Sequence, residues 1–226
     1  GDLELIEIYL NETIENETSN LTFKINKTNK TASLFNINYE QIGQLIIPRT
    51  VKHESDEYLI TSICSIGDYN SNIKTIKFSE DSSVSTIYSN SFSNSKIEEI
   101  YFSKNLKELK EGWCCDTKYL KKIIISPSND QFIFNDDKYL VGKSDKNSDE
   151  FDILLFVNRD VKEFSIPTNI KIISSDAFSQ SKIDKIFIPP NVLKICERTF
   201  CYCSNLKKIE IPTNSNLQTI ESNAFS

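Results

Sequence analysis

The sequence predicts a right-handed, β-rich solenoid with a parallel sheet on its concave face, short turns or helical pieces on its convex side and an N-terminal β cap. Three observations support this fold class. A six-residue apolar pattern recurs seven times, a second pattern lies between its copies in constant phase, and the first 41 residues contain alternating runs typical of strands. Repeats of this length indicate stacked units rather than one closed core.

The first repeated pattern is apolar-x-x-apolar-x-apolar, and we interpret each copy as a short strand. Successive copies begin 31, 24, 23, 41, 22 and 23 residues apart, and a proline directly follows four of them. Proline has no N–H to donate to a ladder, so it ends the strand and turns the chain. The copies are Ile42/Leu45/Ile47, Ile73/Ile76/Phe78, Ile97/Ile100/Phe102, Leu120/Ile123/Ile125, Val161/Phe164/Ile166, Ile183/Ile186/Ile188 and Leu206/Ile209/Ile211.

The second pattern reads apolar-x-x-apolar-x-x-x-small-aromatic, and its aromatic ring is expected to fill the core from the wall opposite the strands. One copy has Trp113 and Cys114 in place of the small-aromatic pair, and the degenerate first repeat has Gly67 and Asp68 there. The regular copies are Val84-Ile87-Ser91-Phe92, Ile170-Ile173-Ala177-Phe178, Val192-Ile195-Thr199-Phe200 and Leu217-Ile220-Ala224-Phe225.

The alternation of these two patterns has the physical properties needed to build a solenoid. A short strand cannot bury three apolar residues alone. Strands stacked about 4.8 Å apart satisfy the backbone donors and align their side chains in one core. Each buried Ile, Leu or Phe contributes about 1.5–3 kcal/mol. The turns can use Ser, Asn and Asp, which agrees with a chain that has five glycines.

The 41-residue spacing reflects an insertion at residues 126–160. Three apolar runs, at 132–134, 138–141 and 151–156, predict extra short strands that form a hairpin protruding from one repeat. Insertions in solenoids map to one face and often carry binding. An elaboration without a binding role is the alternative.

Two units follow from this organisation: an N-terminal β-hairpin cap at 1–41 and a repeat array at 42–226. The cap is expected to cover core that an open solenoid end would expose. At the other end, no further strand or polar cap follows Phe225. We therefore expect an open C-terminal edge that allows self-association.

The repeat resembles that of a known family, the BspA-like leucine-rich-repeat proteins. The resemblance covers about residues 42–226, and the segment 21–34 is similar to the hairpin that opens many members. It implies a leucine-rich-repeat solenoid, usually secreted or surface-exposed and engaged in adhesion or host interaction. The cysteine of the unit is present only as Cys203, with Ser95, Thr117 and Ser181 near its place elsewhere. The closest copy reads Ile195-x-x-x-Thr199-Phe200-x-x-Cys203-x-x-Leu206-x-x-Ile209-x-Ile211-Pro212.

Charge and hydropathy exclude two classes of partner. The net charge is -6 and the sequence pI is about 5.0, with basic residues interleaved among acidic ones. Nucleic-acid binding draws on clustered Lys and Arg, so we expect no nucleic-acid partner. The longest apolar runs span a few residues, whereas a transmembrane helix needs roughly 20. No membrane insertion within this chain is expected.

Catalytic and metal chemistry find little support in the residue pattern. The single histidine, His53, is followed by Glu54, Ser55 and Asp56 in a predicted loop. A Ser-His-Asp triad needs side chains that converge in space, which neighbouring positions in the sequence do not provide. Six cysteines allow 15 disulfide connectivities, and their spacing fits no zinc motif. Small buried hydrophobic residues on the convex side are the alternative reading of these cysteines. We expect no enzyme activity, cofactor or metal site.

Two sets of surface residues are candidates for function. Glycosylation sequons occur at Asn11, Asn16, Asn20, Asn26 and Asn29, although an Asn- and Thr-rich stretch can also produce sequons by accident. The fifth strand position is expected to face outward on the concave sheet, with four large apolar residues among seven. These candidate ligand-binding residues are Ile46, Lys77, Tyr101, Ile124, Phe187 and Glu210, with Ser165 in the same row.

The sequence therefore favours a non-catalytic recognition or adhesion module at the cell surface or secreted. Its concave row and insertion would contact an extracellular protein or glycan. Good strand formers at exposed positions, without any binding role, would explain the same apolar row. A structural spacer or self-assembling repeat element is the alternative function.

Overall fold

A computed structural model describes residues 11–16, 21–37, 42–66 and 72–226. These ranges contain strands, turns, bends and irregular segments but no helix. Of the short turns or helical pieces predicted between the strands, the turns are therefore present and the helical pieces are wrong in these ranges. No helix of these ranges is long and apolar enough to cross a membrane. The strands are β1 (Asn11–Asn16), β2 (Leu21–Asn26), β3 (Thr31–Ile37), β4 (Ile42–Ile47), β5 (Thr50–His53), β6 (Asp56–Ile63), β7 (Asn72–Phe78), β8 (Thr86–Ile87), β9 (Glu99–Phe102), β10 (Glu108–Leu109), β11 (Lys122–Ile125), β12 (Phe132–Asn135), β13 (Tyr139–Gly142), β14 (Ile153–Val157), β15 (Ile172–Ile173), β16 (Lys185–Phe187), β17 (Lys194–Ile195), β18 (Lys208–Glu210) and β19 (Thr219–Ile220).

The first sheet consists of the strands of the first repeated pattern. It has two parallel segments, β4-β7-β9-β11 and β16-β18. Equivalent apolar positions pair across each segment, as Ile100 does with Ile76 and Ile123. These residues are at most 2% exposed. The predicted strands are present at six of the seven copies, and in the last of them Leu206 and Ile209 are half-buried while Ile211 is 44% exposed.

The strand predicted at Val161/Phe164/Ile166 is wrong, and the first sheet is interrupted there. In a regular repeat the carbonyl of the second pattern position accepts a backbone N–H from the next repeat, as Asp184 does from Lys207. At the interruption, the Asn158 side chain donates to the Lys121 carbonyl instead, at 2.9 Å. The insertion thus supplies a side-chain donor for the Lys121 carbonyl, at the point where the backbone ladder of the first sheet would otherwise continue.

The second sheet contains the short strands of the second pattern and also has two segments. One runs β1-β2-β3-β6-β8-β10, with β5 on β6, and the other runs β12-β13-β14-β15-β17-β19. The antiparallel strands β1, β2 and β3 join the repeats through the parallel pair β3 and β6. The N-terminal hairpin therefore extends the second sheet, with Phe23 and Leu34 fully buried.

The insertion is built into the second sheet and does not protrude as predicted. Its strands β12, β13 and β14 are antiparallel, and β14 pairs parallel with β15 of the next repeat. Leu140 and Phe156 belong to the N-terminal core, whereas Val141, Leu154 and Val157 belong to the C-terminal one. The insertion strands therefore contribute to two separate cores.

Aromatic residues of the second pattern line the wall opposite the first sheet, as predicted. Phe178 stacks on Phe200 at 5.0 Å between ring centroids, and Phe200 stacks on Phe225 at 5.3 Å. Left-handed residues bracket four segments of the second pattern, which explains why the chain turns there without forming helix. The bracketing pairs are Asn90 and Asn94, Gly112 and Asp116, Asp176 and Gln180, and Arg198 and Tyr202.

Asparagine side chains form a ladder along the turn that leads from the first sheet to the second. Each donates its amide N–H to a carbonyl of a neighbouring repeat and replaces a backbone donor that the turn cannot supply. Asn129 donates to two carbonyls. The other members are Asn105 to Ser82, Asn169 to Phe151 and Asn191 to Thr168, at 2.7–2.9 Å.

Candidate functional site

The fifth position of the first-sheet strands forms the row predicted as a ligand-binding face. The strand register places its members side by side within each segment, and the row is interrupted at Ser165, which lies outside any strand. The paired neighbours are Ile46 with Lys77, Tyr101 with Ile124, and Phe187 with Glu210. Pairing of Ile76 with Ile100 also brings Lys77 next to Tyr101.

The apolar members of this row differ in exposure. Ile46 is 56% exposed and Phe187 is 48% exposed, whereas Tyr101 and Ile124 are half-buried. The Lys77 ammonium lies 4.5 Å from the centroid of the Tyr101 ring, so a neighbouring side chain covers part of this aromatic face. The longer segment therefore combines an exposed isoleucine with a partly covered aromatic patch.

Charged residues surround the apolar row on the same face. Glu99 contacts the Lys122 ammonium at 3.9 Å and accepts a hydrogen bond from Tyr101 that raises the pKa of this phenol. Lys208 contacts Glu210 at 2.6 Å. Such exposed pairs contribute about 0–1 kcal/mol, so a partner can displace them at little cost.

A cavity of about 290 Å³ opens beside the apolar row, at the ends of β7, β9 and β11. Tyr101 and Ile124 belong to both the row and the cavity lining. The hydroxyls of Ser79 and Ser103 also belong to lining residues and have no hydrogen-bond partner among the described residues. The volume lies at the lower end of that of ligand pockets, which suits a single side chain or sugar ring.

The predicted glycosylation sites fall in and around the N-terminal hairpin. Asn26 and Asn29 lie at the turn between β2 and β3, where Asn26 Oδ1 accepts hydrogen bonds from the backbone N–H groups of Thr28 and Asn29. Asn29 is exposed. Asn11 and Asn16 are the first and last residues of β1, and Asn20 lies outside the described residues.

All six cysteines are free thiols. Burial raises the pKa of Cys114 and of Cys115 to about 12, and that of Cys196 to about 11. The Cys203 thiol contacts the Phe178 carbonyl at 3.0 Å, and burial also raises its pKa. Cys114, Cys115, Cys196 and Cys203 are therefore protonated and weakly nucleophilic at neutral pH.

His53 ends β5, across the hairpin from Asp56. Its Nε2 lies 3.5 Å from Glu12 Oε1 on β1. The imidazole thus contacts an acidic side chain of β1, and neither Ser55 nor Asp56 is hydrogen-bonded to it. This arrangement differs from a Ser-His-Asp relay, in which the imidazole bridges the other two side chains.

A buried polar junction joins the two cores. Arg159 is 3% exposed, and its guanidinium donates to the carbonyls of Cys114, Asp176 and Ala177 at 2.9–3.2 Å. The Asp176 carboxylate in turn accepts from Arg198 Nε at 3.2 Å, and its burial raises its pKa. Sequence reasoning missed this junction, because an arginine inside an insertion gives no periodic signal.

The phased parallel strands, the aromatic wall and the asparagine ladder together define a leucine-rich-repeat protein. Residues 38–139 and 146–226 match the BspA type leucine-rich repeat region in six copies. The chain belongs to this family, which confirms the resemblance inferred from the repeat. No curated protein matches the chain significantly.

Several solved structures resemble the chain at low sequence identity. The pneumococcal vaccine antigen PcpA is 14% identical, with a TM-score of 0.43 over 90% of this chain and 71% of that one. A leucine-rich repeat protein from Bacteroides ovatus ATCC 8483 is 19% identical, with a TM-score of 0.44 over 85% of this chain and 40% of that one. A leucine rich cell surface protein from Faecalibacterium prausnitzii A2-165 is 12% identical, with a TM-score of 0.34 and 93% of each chain covered.

Proposed function

We propose that this chain is a non-catalytic recognition module of a secreted or cell-surface protein, and that it binds an extracellular protein or glycan through the face of the first sheet. The observation that supports this proposal most directly is the exposure of Ile46 and Phe187, which occupy the fifth strand position on that face. Ile46 shares its sheet segment with the half-buried Tyr101 and Ile124, whereas Phe187 lies on the other segment. Exposed apolar residues on a sheet face mark interaction sites more often than chance. Members of the BspA-like family are usually surface-exposed, which supports the proposed location.

The environment of the row supports the same function. A partner that inserts one group into the cavity beside Tyr101 and Ile124 would meet an aromatic edge and the Ser103 hydroxyl. Both protein side chains and sugar rings present apolar and hydrogen-bonding groups together. Ile133 on β12 is 39% exposed and offers a further contact on the insertion, although it belongs to the second sheet.

Serine substitutions on the row test the proposal. We expect Ile46→Ser, Tyr101→Ser and Phe187→Ser each to weaken binding about tenfold or more, because loss of a buried anchor costs at least 1–2 kcal/mol. The measurement is binding to a glycan array and to a panel of immobilised extracellular-matrix glycoproteins. Tyr119→Ser and Tyr202→Ser are matched controls, since these side chains are 51% and 64% exposed outside the first sheet.

Retention of binding in all three row variants would overturn the proposed face. Equal losses in the row variants and the two tyrosine controls would have the same meaning, because a general surface effect would then explain them. Thermal unfolding of each variant distinguishes lost contacts from lost folding. We expect little change, because all three side chains are at least partly solvent-exposed.

A further inference from the structure

Three metal-ligating side chains converge where the two repeat segments of the second sheet approach each other. Glu111 follows β10, Cys196 follows β17 and Glu221 follows β19. One ligand atom of each lies within 4.8 Å of those of the other two. Cys196 is 5% exposed, Glu221 is half-buried and Glu111 is exposed. The cluster is therefore closed by a thiol on the core side and open to solvent on the other.

The fold fixes the positions of these groups. Ile195 pairs with Ile220 in the second sheet, so the residues that directly follow them, Cys196 and Glu221, lie side by side. The backbone N–H of Glu197 donates to Glu221 Oε2 at 3.0 Å. From the other segment, Glu111 Oε1 accepts a hydrogen bond from the Ser175 hydroxyl at 2.7 Å. Both carboxylates are thus oriented by the chain.

A cation of the chain already lies at the cluster. The Lys194 ammonium is 2.5 Å from Glu221 Oε1, and it also acts electrostatically on Cys196 and Glu111. Two carboxylates beside one ammonium leave a net negative charge next to a buried thiol. This excess of negative charge favours a further cation.

We propose that Glu111, Cys196 and Glu221 form a binding site for a thiophilic divalent cation of the zinc type. Zinc takes sulfur at about 2.3 Å and carboxylate oxygen at about 2.0–2.2 Å, commonly with three protein ligands and a water. Donor atoms of such a tetrahedral complex lie roughly 3.5 Å apart, so each side chain moves by about 1 Å. Calcium and magnesium prefer oxygen donors alone, and the thiol selects against them.

Charge and proton balance are consistent with this ion. On binding, Cys196 releases its thiol proton to solvent, because the thiolate is the ligand form. The Lys194 ammonium moves off Glu221 and stays nearby as a counter-charge. Three anionic ligands are then neutralised by the divalent ion and one ammonium. Since Glu111 precedes the insertion and its two partners follow it, the bound ion would link both halves of the array.

Cobalt titration of the full 226-residue chain tests the site. Thiolate-bound Co²⁺ absorbs through ligand-to-metal charge transfer, and we expect this absorption to saturate at one ion per chain and to disappear when Zn²⁺ is added. Cys196→Ser should abolish it. Glu111→Gln should weaken binding by more than the roughly 10- to 100-fold that loss of an outer-shell partner costs. Lys194→Gln should strengthen binding, because a competing cation is removed.

Cys64→Ser is the matched control, since Cys64 is a half-buried free thiol on another part of the second sheet. We expect it to bind Co²⁺ as the unmodified chain does. Absorption that persists in Cys196→Ser, or unchanged affinity in Glu111→Gln, would overturn the site and indicate adventitious binding to a thiol alone. Glu111 is exposed, so its replacement tests coordination without a threat to folding.

Discussion

Replacement of Arg159 by methionine is expected to lower the free energy of unfolding by about 3–5 kcal/mol. The guanidinium donates to carbonyls of two turns that lie on opposite sides of the insertion, and it lies 4.6 Å from the Phe156 ring centroid. Methionine has a similar length but donates no hydrogen bond. The buried Asp176 carboxylate would also lose one of the two arginines that lower its pKa.

Urea denaturation monitored by circular dichroism measures this effect. Arg49→Met is the matched control, because Arg49 is an exposed arginine whose contact with Asp81 spans 3.5 Å, and it should change stability by less than about 0.5 kcal/mol. Arg159→Lys should recover only part of the loss, since one ammonium cannot reproduce the planar fork that reaches both turns. Equal stability of Arg159→Met and Arg49→Met would contradict the proposed role of the junction.

Truncation of Trp113 to alanine should have a comparable effect, a loss of about 3–5 kcal/mol. Trp113 is fully buried, and its ring lies 6.0–6.2 Å from those of Phe92, Phe102 and Phe156. These partners come from the second pattern, the first sheet and the insertion. Alanine would therefore leave a cavity where three parts of the N-terminal core meet.

A second substitution separates packing from hydrogen bonding at this site. Trp113 Nε1 is buried without a hydrogen-bond partner among the described residues. Trp113→Phe should therefore lose much less stability than Trp113→Ala in the same denaturation experiment, because no bond of the indole is broken. Tyr119→Ala, at an exposed ring, should be nearly neutral. A loss in Trp113→Phe as large as in Trp113→Ala would indicate a polar role for the indole.

Periodicity predicted the elements that repeat. Ile100, Ile123 and Ile186 are buried as the first pattern requires, and Phe178 and Phe200 fill the opposite wall. The fifth-position row also follows from register alone, since parallel strands of one pattern place equivalent residues side by side. Whether this row binds a ligand is a separate question, which periodicity does not address.

Features that do not repeat along the chain were not predicted from the sequence. The apolar pattern at Val161 is as regular as any other, yet the Asn158 side chain occupies the acceptor that a strand there would use. Burial of Phe156 and Val157 in different cores likewise depends on the tertiary position of β14. Glu111 and Cys196 lie far apart in sequence, and only the close approach of two sheet segments brings them together.

The interruption of the first sheet also has a consequence for cooperativity. In a repeat array each unit is stabilised by its neighbours, so coupling across an interface decides whether adjacent units unfold together. Here the two cores are coupled through the pairing of β14 with β15 and through the Arg159 junction. Within the described part of the chain, no ladder of the first sheet crosses from one segment to the other. Amide hydrogen exchange should accordingly divide the chain into two cooperative units near residue 160, and the stability of that single interface would set how far a local opening spreads.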